Sequence, residues 1–194
     1  MGKIFLFRHG QTLSNKQKKF CGITETPLIS LEYKEFPVVD TLFCSTLSRC
    51  FYYAQFVDYK QIFTSSDLKE IDFGLWEGKT FYEIEKEDPI LAKKYLLDYK
   101  DFCFPEGESF FTFRERINSF YRENIIPQIK NQKDILIISS EGVIKTLLIL
   151  FLNINSSFFW NVKISNSSFC ILEYFTLEEE INFYLTGLNL KTLS

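Results

Sequence analysis

Lys3-Ile4-Phe5-Leu6-Phe7-Arg8-His9-Gly10 reads as a short buried strand whose apolar run stops at an arginine, a histidine and a glycine. The arrangement recurs at Ile135-Leu136-Ile137-Ile138-Ser139-Ser140-Glu141-Gly142, the strongest strand signal in the chain, which runs into an apolar helix from Val143 to Leu152. Thr41 to Ser45 and Gln61 to Thr64 read as further strands, with a helical stretch from about Ser48 to Tyr59 between them. Thr80 to Tyr99 has helical spacing, and Pro89 splits it into two helices. Ser109 to Lys130 predicts a long amphipathic helix bent near Pro127. Ser168 to Tyr174 and Ile181 to Thr186 predict final strands with a turn around Glu178 to Glu180. Strands alternating with helices predict an α/β fold: a three-layer α/β/α sandwich with a mostly parallel central sheet. No repeat, low-complexity tract or Gly/Pro-rich linker interrupts residues 1–194, so one domain is expected.

Composition narrows the function. The net charge of −3 argues against a nucleic-acid partner, so any affinity for an anion must be local. The 22 phenylalanines predict an aromatic-rich core. Cys21, Cys44, Cys50, Cys103 and Cys170 form no CxxC pair, and free thiols in a reducing, cytoplasmic setting are expected. The apolar start is too short for a signal peptide, and Lys145 interrupts the Val143–Leu152 run, so no membrane partner is expected. One histidine and scattered cysteines predict neither a metal nor a cofactor site, and the oligomeric state stays open.

In parallel sheets ligands collect where strands end and helices begin, which groups Arg8-His9-Gly10 with Ser139-Ser140-Glu141-Gly142. His9 is the sole histidine. Its plain reading is a packed ring in a turn whose arginine pairs with a surface carboxylate. Its functional reading is a catalytic imidazole beside a guanidinium.

Motifs in order along the chain bear on that choice. Leu6-Phe7-Arg8-His9-Gly10-Gln11-Thr12-Leu13-Ser14-Asn15 resembles the N-terminal motif of the histidine phosphatase superfamily, which includes the cofactor-dependent phosphoglycerate mutases. Phe20 to Leu28 is similar to the loop near the pocket mouth, and Cys44-Ser45-Thr46-Leu47-Ser48-Arg49 to the segment with a second phosphate-binding arginine. Glu70-Ile71-Asp72-Phe73-Gly74-Leu75-Trp76-Glu77-Gly78 resembles the acid-bearing loop of the phosphatase branch, which includes α-ribazole phosphatase. Pro105-Glu106-Gly107-Glu108-Ser109 is similar to the opening of the long helix, and Ile138 to Lys145 to the C-terminal motif.

The resemblance implies a phosphoglycerate mutase-like fold and a phosphomonoester hydrolase acting on a small phosphorylated substrate. His9 would attack phosphorus and form a phosphohistidine, with its other ring nitrogen donating to a backbone carbonyl. Glu70 would serve as general acid and then base. Planar guanidinium forks bind phosphate oxygens in pairs, so Arg8 and Arg49 would hold the phosphate, with an amide donor from Asn15 and a backbone N–H from Gly22.

The pattern departs from the family at Ser140, where members carry a second histidine, and at Glu141, where they carry a small residue. Losing one preorganised donor lowers turnover by roughly two to three orders of magnitude. In one reading the Ser140 hydroxyl and the N-terminus of the following helix still bind phosphate, Glu141 points away, and a slow or specialised phosphatase remains. The alternative is a catalytically impaired module that binds phosphorylated ligands. Mutase activity, which would depend on a bisphosphorylated primer, is a lesser alternative.

Overall fold

A computed structural model of the protein describes residues 1–29, 31, 34–178 and 180–193. Six strands form one sheet: β1 (Gly2–Arg8), β2 (Val39–Ser45), β3 (Tyr59–Ser65), β4 (Ile135–Ser139), β5 (Ser168–Leu177) and β6 (Glu180–Leu190). Their order is β3-β2-β4-β1-β5-β6; the pairs from β3 to β1 are parallel, while β5 and β6 run antiparallel. The helices are α1 (Leu13–Lys16), α2 (Ser48–Phe51), α3 (Phe81–Glu87), α4 (Pro89–Asp98), α5 (Phe110–Phe120), α6 (Ile126–Lys130), α7 (Glu141–Leu152) and α8 (Phe158–Asn161).

The central strands are apolar without interruption over Ile4–Phe7 and Ile135–Ile138 because both of their faces are covered. Ile4, Leu6, Ile135 and Ile137 point into a core shared with Phe113 and Ile117 of α5 and Ile144 and Leu147 of α7. Phe5, Phe7, Leu136 and Ile138 point to the other side, against Cys50, Tyr53 and Ala54. Side chains alternate along a strand, so a continuous apolar run is what two covers demand. Fully burying each such side chain contributes roughly 1.5–3 kcal/mol. Many of the phenylalanines serve this purpose: Phe102 and Phe104 pack on Trp76, and Phe110 and Phe113 are buried in the same core.

Two local expectations are revised. The helix expected from Ser48 to Tyr59 is α2 followed by a 3₁₀ turn at Tyr52–Phe56, and Tyr59 already belongs to β3. The helix expected from Ser109 to Lys130 is α5 and α6 joined by a π-turn at Tyr121–Ile125, just before Pro127, where the Ile126 N–H donates to the Tyr121 carbonyl. Proline lacks an N–H and its ring crowds the preceding turn, so the widened turn absorbs the clash before it arises. Pro89 occupies the first turn of α4, a position that tolerates it, and Asp88 caps that helix.

Candidate active site

The parallel strands deliver their C-terminal ends to one edge of the sheet, and the candidate residues gather there. β1 ends at Arg8, and its register sets Arg8 opposite Ser139 of β4. The next residues, His9 and Ser140, therefore leave the sheet side by side, with the His9 N–H donating to the Ser139 carbonyl at 3.1 Å. The turn after β2 carries Arg49 on α2, and the segment after β3 carries Glu70.

His9 keeps only 3% exposure. Its Nδ1 lies 2.8 Å from the Gly10 carbonyl, which can only accept, so the proton of the neutral ring sits on Nδ1 and Nε2 carries the lone pair. Burial, then the Arg49 and Arg8 cations, push its pKa down to about 3, against the opposing pull of the Gly10 carbonyl. The imidazole is thus neutral and nucleophilic through the physiological range. Gly10 cannot be larger, because a Cβ there would come within 2.3 Å of Tyr53 Oη.

Arg8 is almost buried. Its Nη1 donates to Glu141 Oε2 at 2.7 Å and to the Ile164 carbonyl, while its Nε is buried with no hydrogen-bond partner among the described residues. Burial lowers the Arg8 pKa, and the Glu141 and Glu70 carboxylates oppose that shift. The expectation that Glu141 points away is corrected here: its Oε1 also accepts from Lys145 Nζ at 2.8 Å and from the Ile164 N–H at 3.3 Å. A carboxylate opening α7 next to two cations has more to gain by turning inward than from the helix dipole alone.

Arg49 is buried, and its Nη1 and Nη2 donate to the carbonyls of Thr24 (2.8 Å) and Gly22. Gly22 was expected to offer its N–H to phosphate. Instead that N–H donates to Glu77 at 2.8 and 3.0 Å, and the same carboxylate receives the N–H groups of Ile23 (3.1 Å), Thr24 (3.4 Å) and Phe73 (3.2 Å). A full carboxylate outcompetes a solvent-facing direction for these donors. Gly22 is a glycine because a Cβ would meet the Ile71 carbonyl at 1.7 Å.

Glu70 Oε2 accepts from the Gly142 N–H at 2.9 Å, at the opening of α7, and Oε1 from the Ile71 N–H at 3.0 Å. Burial still raises its pKa, with Glu141 adding to the rise and the two N–H bonds and Arg8 opposing it. The segment bearing Glu70 is held by Arg116, which forms a two-bond pair with Glu108 (2.9 and 2.7 Å) and donates to the Asp67 carbonyl at 2.6 Å. Asn15 caps the N-terminus of α1 with Thr12, its Oδ1 accepting from the Thr12 N–H at 3.2 Å and from Asn166 Nδ2 at 3.1 Å, and the residue lines the adjoining cleft. Ser140 caps no N–H, and its buried Oγ lies beside the Cys50 thiol, where it opposes the rise that burial gives that thiol's pKa.

Above these groups lies a cleft of about 530 Å³ lined by Arg8, Asn15, Glu70, Glu141, Phe20 and Lys163 among others. His9, Arg49 and Ser140 are buried and do not line this cleft themselves; His9 adjoins it through its neighbour Arg8. Glu77, Glu108, Arg116 and Asn166 were not foreseen as site residues. Each acts through contacts distant along the chain, and only the motif neighbourhood of Glu77 and Glu108 hinted at them.

The family model of the histidine phosphatase superfamily (branch 1) matches residues 4–184. Fructose-2,6-bisphosphatase of Saccharomyces cerevisiae is 29% identical over 161 residues, 78% of this chain and 34% of that protein. Adenosylcobalamin/alpha-ribazole phosphatase of Escherichia coli K12 is 22% identical over 183 residues, covering 88% of this chain and 89% of the relative. The chain spans between 34% and 50% of the length of the first curated relatives it matches. In fold it is similar to the alpha-ribazole phosphatase from Shigella flexneri, with a TM-score of 0.84 at 21% identity over 99% of this chain and 98% of that one. A mycobacterial glucosyl-3-phosphoglycerate phosphatase solved with VO3 gives a TM-score of 0.76 at 19% identity, over 98% and 100% of the two chains. A match that runs from the first strand through every segment of the site makes this chain a member of the histidine phosphatase superfamily, branch 1.

Proposed function

We propose that the chain is a phosphomonoester hydrolase in which His9 Nε2 attacks phosphorus. The P–N bond forms as the ester P–O bond breaks, and Glu70 gives its proton to the departing oxygen. Water then attacks the phosphohistidine, Glu70 takes back a proton, and inorganic phosphate leaves. The observation that carries this reading is the neutral His9 ring, tied through Nδ1 to Gly10 and adjoining Arg8, whose buried Nε lacks a hydrogen-bond partner among the described residues. A tetrahedral oxyanion would satisfy that donor. A raised pKa suits Glu70 to hold the proton it must deliver.

In this reading Ser140 stands where the family places its second histidine, and turnover is slow or confined to a special substrate. A second reading, a ligand-binding module without useful turnover, is favoured by one contact: the Glu141 carboxylate sits on Arg8 and brings negative charge to the phosphate end of the cleft.

Hydrolysis of 4-nitrophenyl phosphate by the wild type, His9→Ala and Ser140→His separates the two. The phosphatase reading expects slow turnover, loss in His9→Ala, and a gain of up to about 100-fold in Ser140→His. No turnover with vanadate still bound supports the module. Neither turnover nor oxyanion binding overturns both.

A further inference from the structure

Residues 162–167, between α8 and β5, form no helix or strand, so their backbone groups must find partners elsewhere. Asn189 of β6 supplies two of them: its Nδ2 donates to the Lys163 carbonyl at 2.7 Å, and its Oδ1 accepts from the Ser165 N–H at 2.6 Å. The Ile164 carbonyl accepts from Arg8 Nη1, and the Ser167 N–H donates to the His9 carbonyl at 3.2 Å. The segment is thus fastened to β6 on one side and to the end of β1 on the other. It presents the Asn166 side chain to the turn that carries His9.

Asn166 Nδ2 lies within hydrogen-bonding distance of three oxygens: the carbonyls of His9 (3.2 Å) and Gly10 (3.3 Å) and Asn15 Oδ1 (3.1 Å). Two of these are backbone carbonyls, which can only accept, so the nitrogen of the amide must face them. The Gly10 carbonyl is also the oxygen that meets His9 Nδ1 at 2.8 Å. A carbonyl has two lone pairs and can take both donors at once. Glycine has no side chain to brace its peptide plane, so the direction of this carbonyl follows the groups that donate to it. Asn166 therefore sets the partner that decides which ring nitrogen of His9 carries the proton. That choice matters, because an isolated neutral imidazole side chain in water prefers its proton on Nε2, where it would block attack.

We infer that Asn166 is a positioning residue, holding the Gly10 carbonyl against His9 Nδ1 so that Nε2 keeps its lone pair for phosphorus. The inference deepens the phosphatase reading and rests on it for its catalytic consequence. Because His9 is the sole histidine, nitrogen NMR of the full chain carrying isotopically labelled histidine reports this ring alone. At pH 7 the wild type should show a protonated Nδ1 and a bare Nε2, widely separated in shift. Asn166→Leu removes the donor and should let the proton exchange between the two nitrogens, drawing their signals together. Its kcat for 4-nitrophenyl phosphate should fall on the order of tenfold, with KM near the wild-type value, because the nucleophile is misaimed. Asn166→Gln, which keeps an amide, should restore part of both. Should Asn166→Leu fail to fold, Asn166→Asp, which keeps the shape and removes both N–H groups, takes its place. A wild-type ring protonated on Nε2 overturns the inference. So does a folded variant whose ring signals match the wild type, since Asn166 would then only brace the loop. Wild-type turnover scores the parent reading separately: turnover with a ring indifferent to Asn166 sinks this inference alone, and a responsive ring without turnover sinks the phosphatase alone.

Discussion

Arg8 Nη1 meets Glu141 Oε2 at 2.7 Å, while Arg8 Nε, on the other edge of the guanidinium, is buried without a partner among the described residues. Nη1 lies on the side of the Cδ stem, so Nε and Nη2 form a separate two-donor edge. A carboxylate on Nη1 therefore fixes the plane of the group without occupying the edge best suited to two phosphate oxygens. Glu141 both orients Arg8 and taxes the site with its charge, and these effects can be separated.

Glu141→Gln keeps an oxygen for Arg8 Nη1 and removes the charge. Vanadate or phosphate affinity should rise by about fivefold to tenfold, since 1.4 kcal/mol corresponds to a factor of ten. Titration calorimetry checks this. A fall in affinity would show that the ionised carboxylate is needed to hold the guanidinium in place.

In the proposed mechanism the acid limb and the basic limb of turnover belong to different residues. With His9 at about 3, the ring is already neutral well below pH 6, and lost activity on that side begins only near pH 3. Glu70 must be protonated to expel the leaving group, so kcat/KM should fall as pH rises through its raised pKa. Glu70→Gln should flatten the basic limb while lowering the maximum. A wild-type profile still rising between pH 7 and 9 would remove Glu70 from the role of acid.

Much of this arrangement was legible in the chain because it is local. The unbroken runs Ile4–Phe7 and Ile135–Ile138 report strands covered on both sides, and the residues that end them report the site. Contacts between distant segments were not legible. Nothing near Glu141 in sequence says that it will meet Arg8, because the parallel pairing of β1 with β4 creates that neighbour. Gly22 looked like a phosphate donor until the fold brought Glu77 to its N–H. The Ser48–Tyr59 stretch kept helical spacing, but Tyr59 pairs with Val39 in the sheet, and tertiary pairing outweighed local preference.

His9 also makes the fold sensitive to acid. Its pKa in the folded chain, about 3, lies below the ordinary value of 6.5, so the unfolded chain binds the proton first as pH falls. The stability present above pH 6.5 is lost progressively between 6.5 and 3. At pH 4 the loss is on the order of 3 kcal/mol, from about 1.4 kcal/mol for each unit of separation. Urea unfolding of wild type and His9→Asn at pH 7 and pH 4 should show the wild type losing more stability by about that amount. Parallel losses in the two proteins would mean that the ring is not held neutral by burial.

Glu77 should prove as necessary as the residues that touch substrate, although it touches none of them. Its carboxylate gathers the N–H groups of Gly22, Ile23, Thr24 and Phe73, and the carbonyls of Gly22 and Thr24 in turn receive Arg49. Removing it strands several donors at once and frees the loop that orients the guanidinium. Hydrogen bonds to a charged group contribute about 1.5–3 kcal/mol each, and partial rehydration offsets some of the loss, so Glu77→Ala should cost about 3 kcal/mol of stability. Glu77→Gln, which retains an acceptor, should cost less than half of that. In both variants the weakened hold on Arg49 should appear mainly as a higher KM for aryl phosphate and weaker vanadate binding. Vanadate affinity unchanged in a folded Glu77→Ala protein would mean that Arg49 is positioned without this loop, and that the path from Glu77 to the phosphate does not exist.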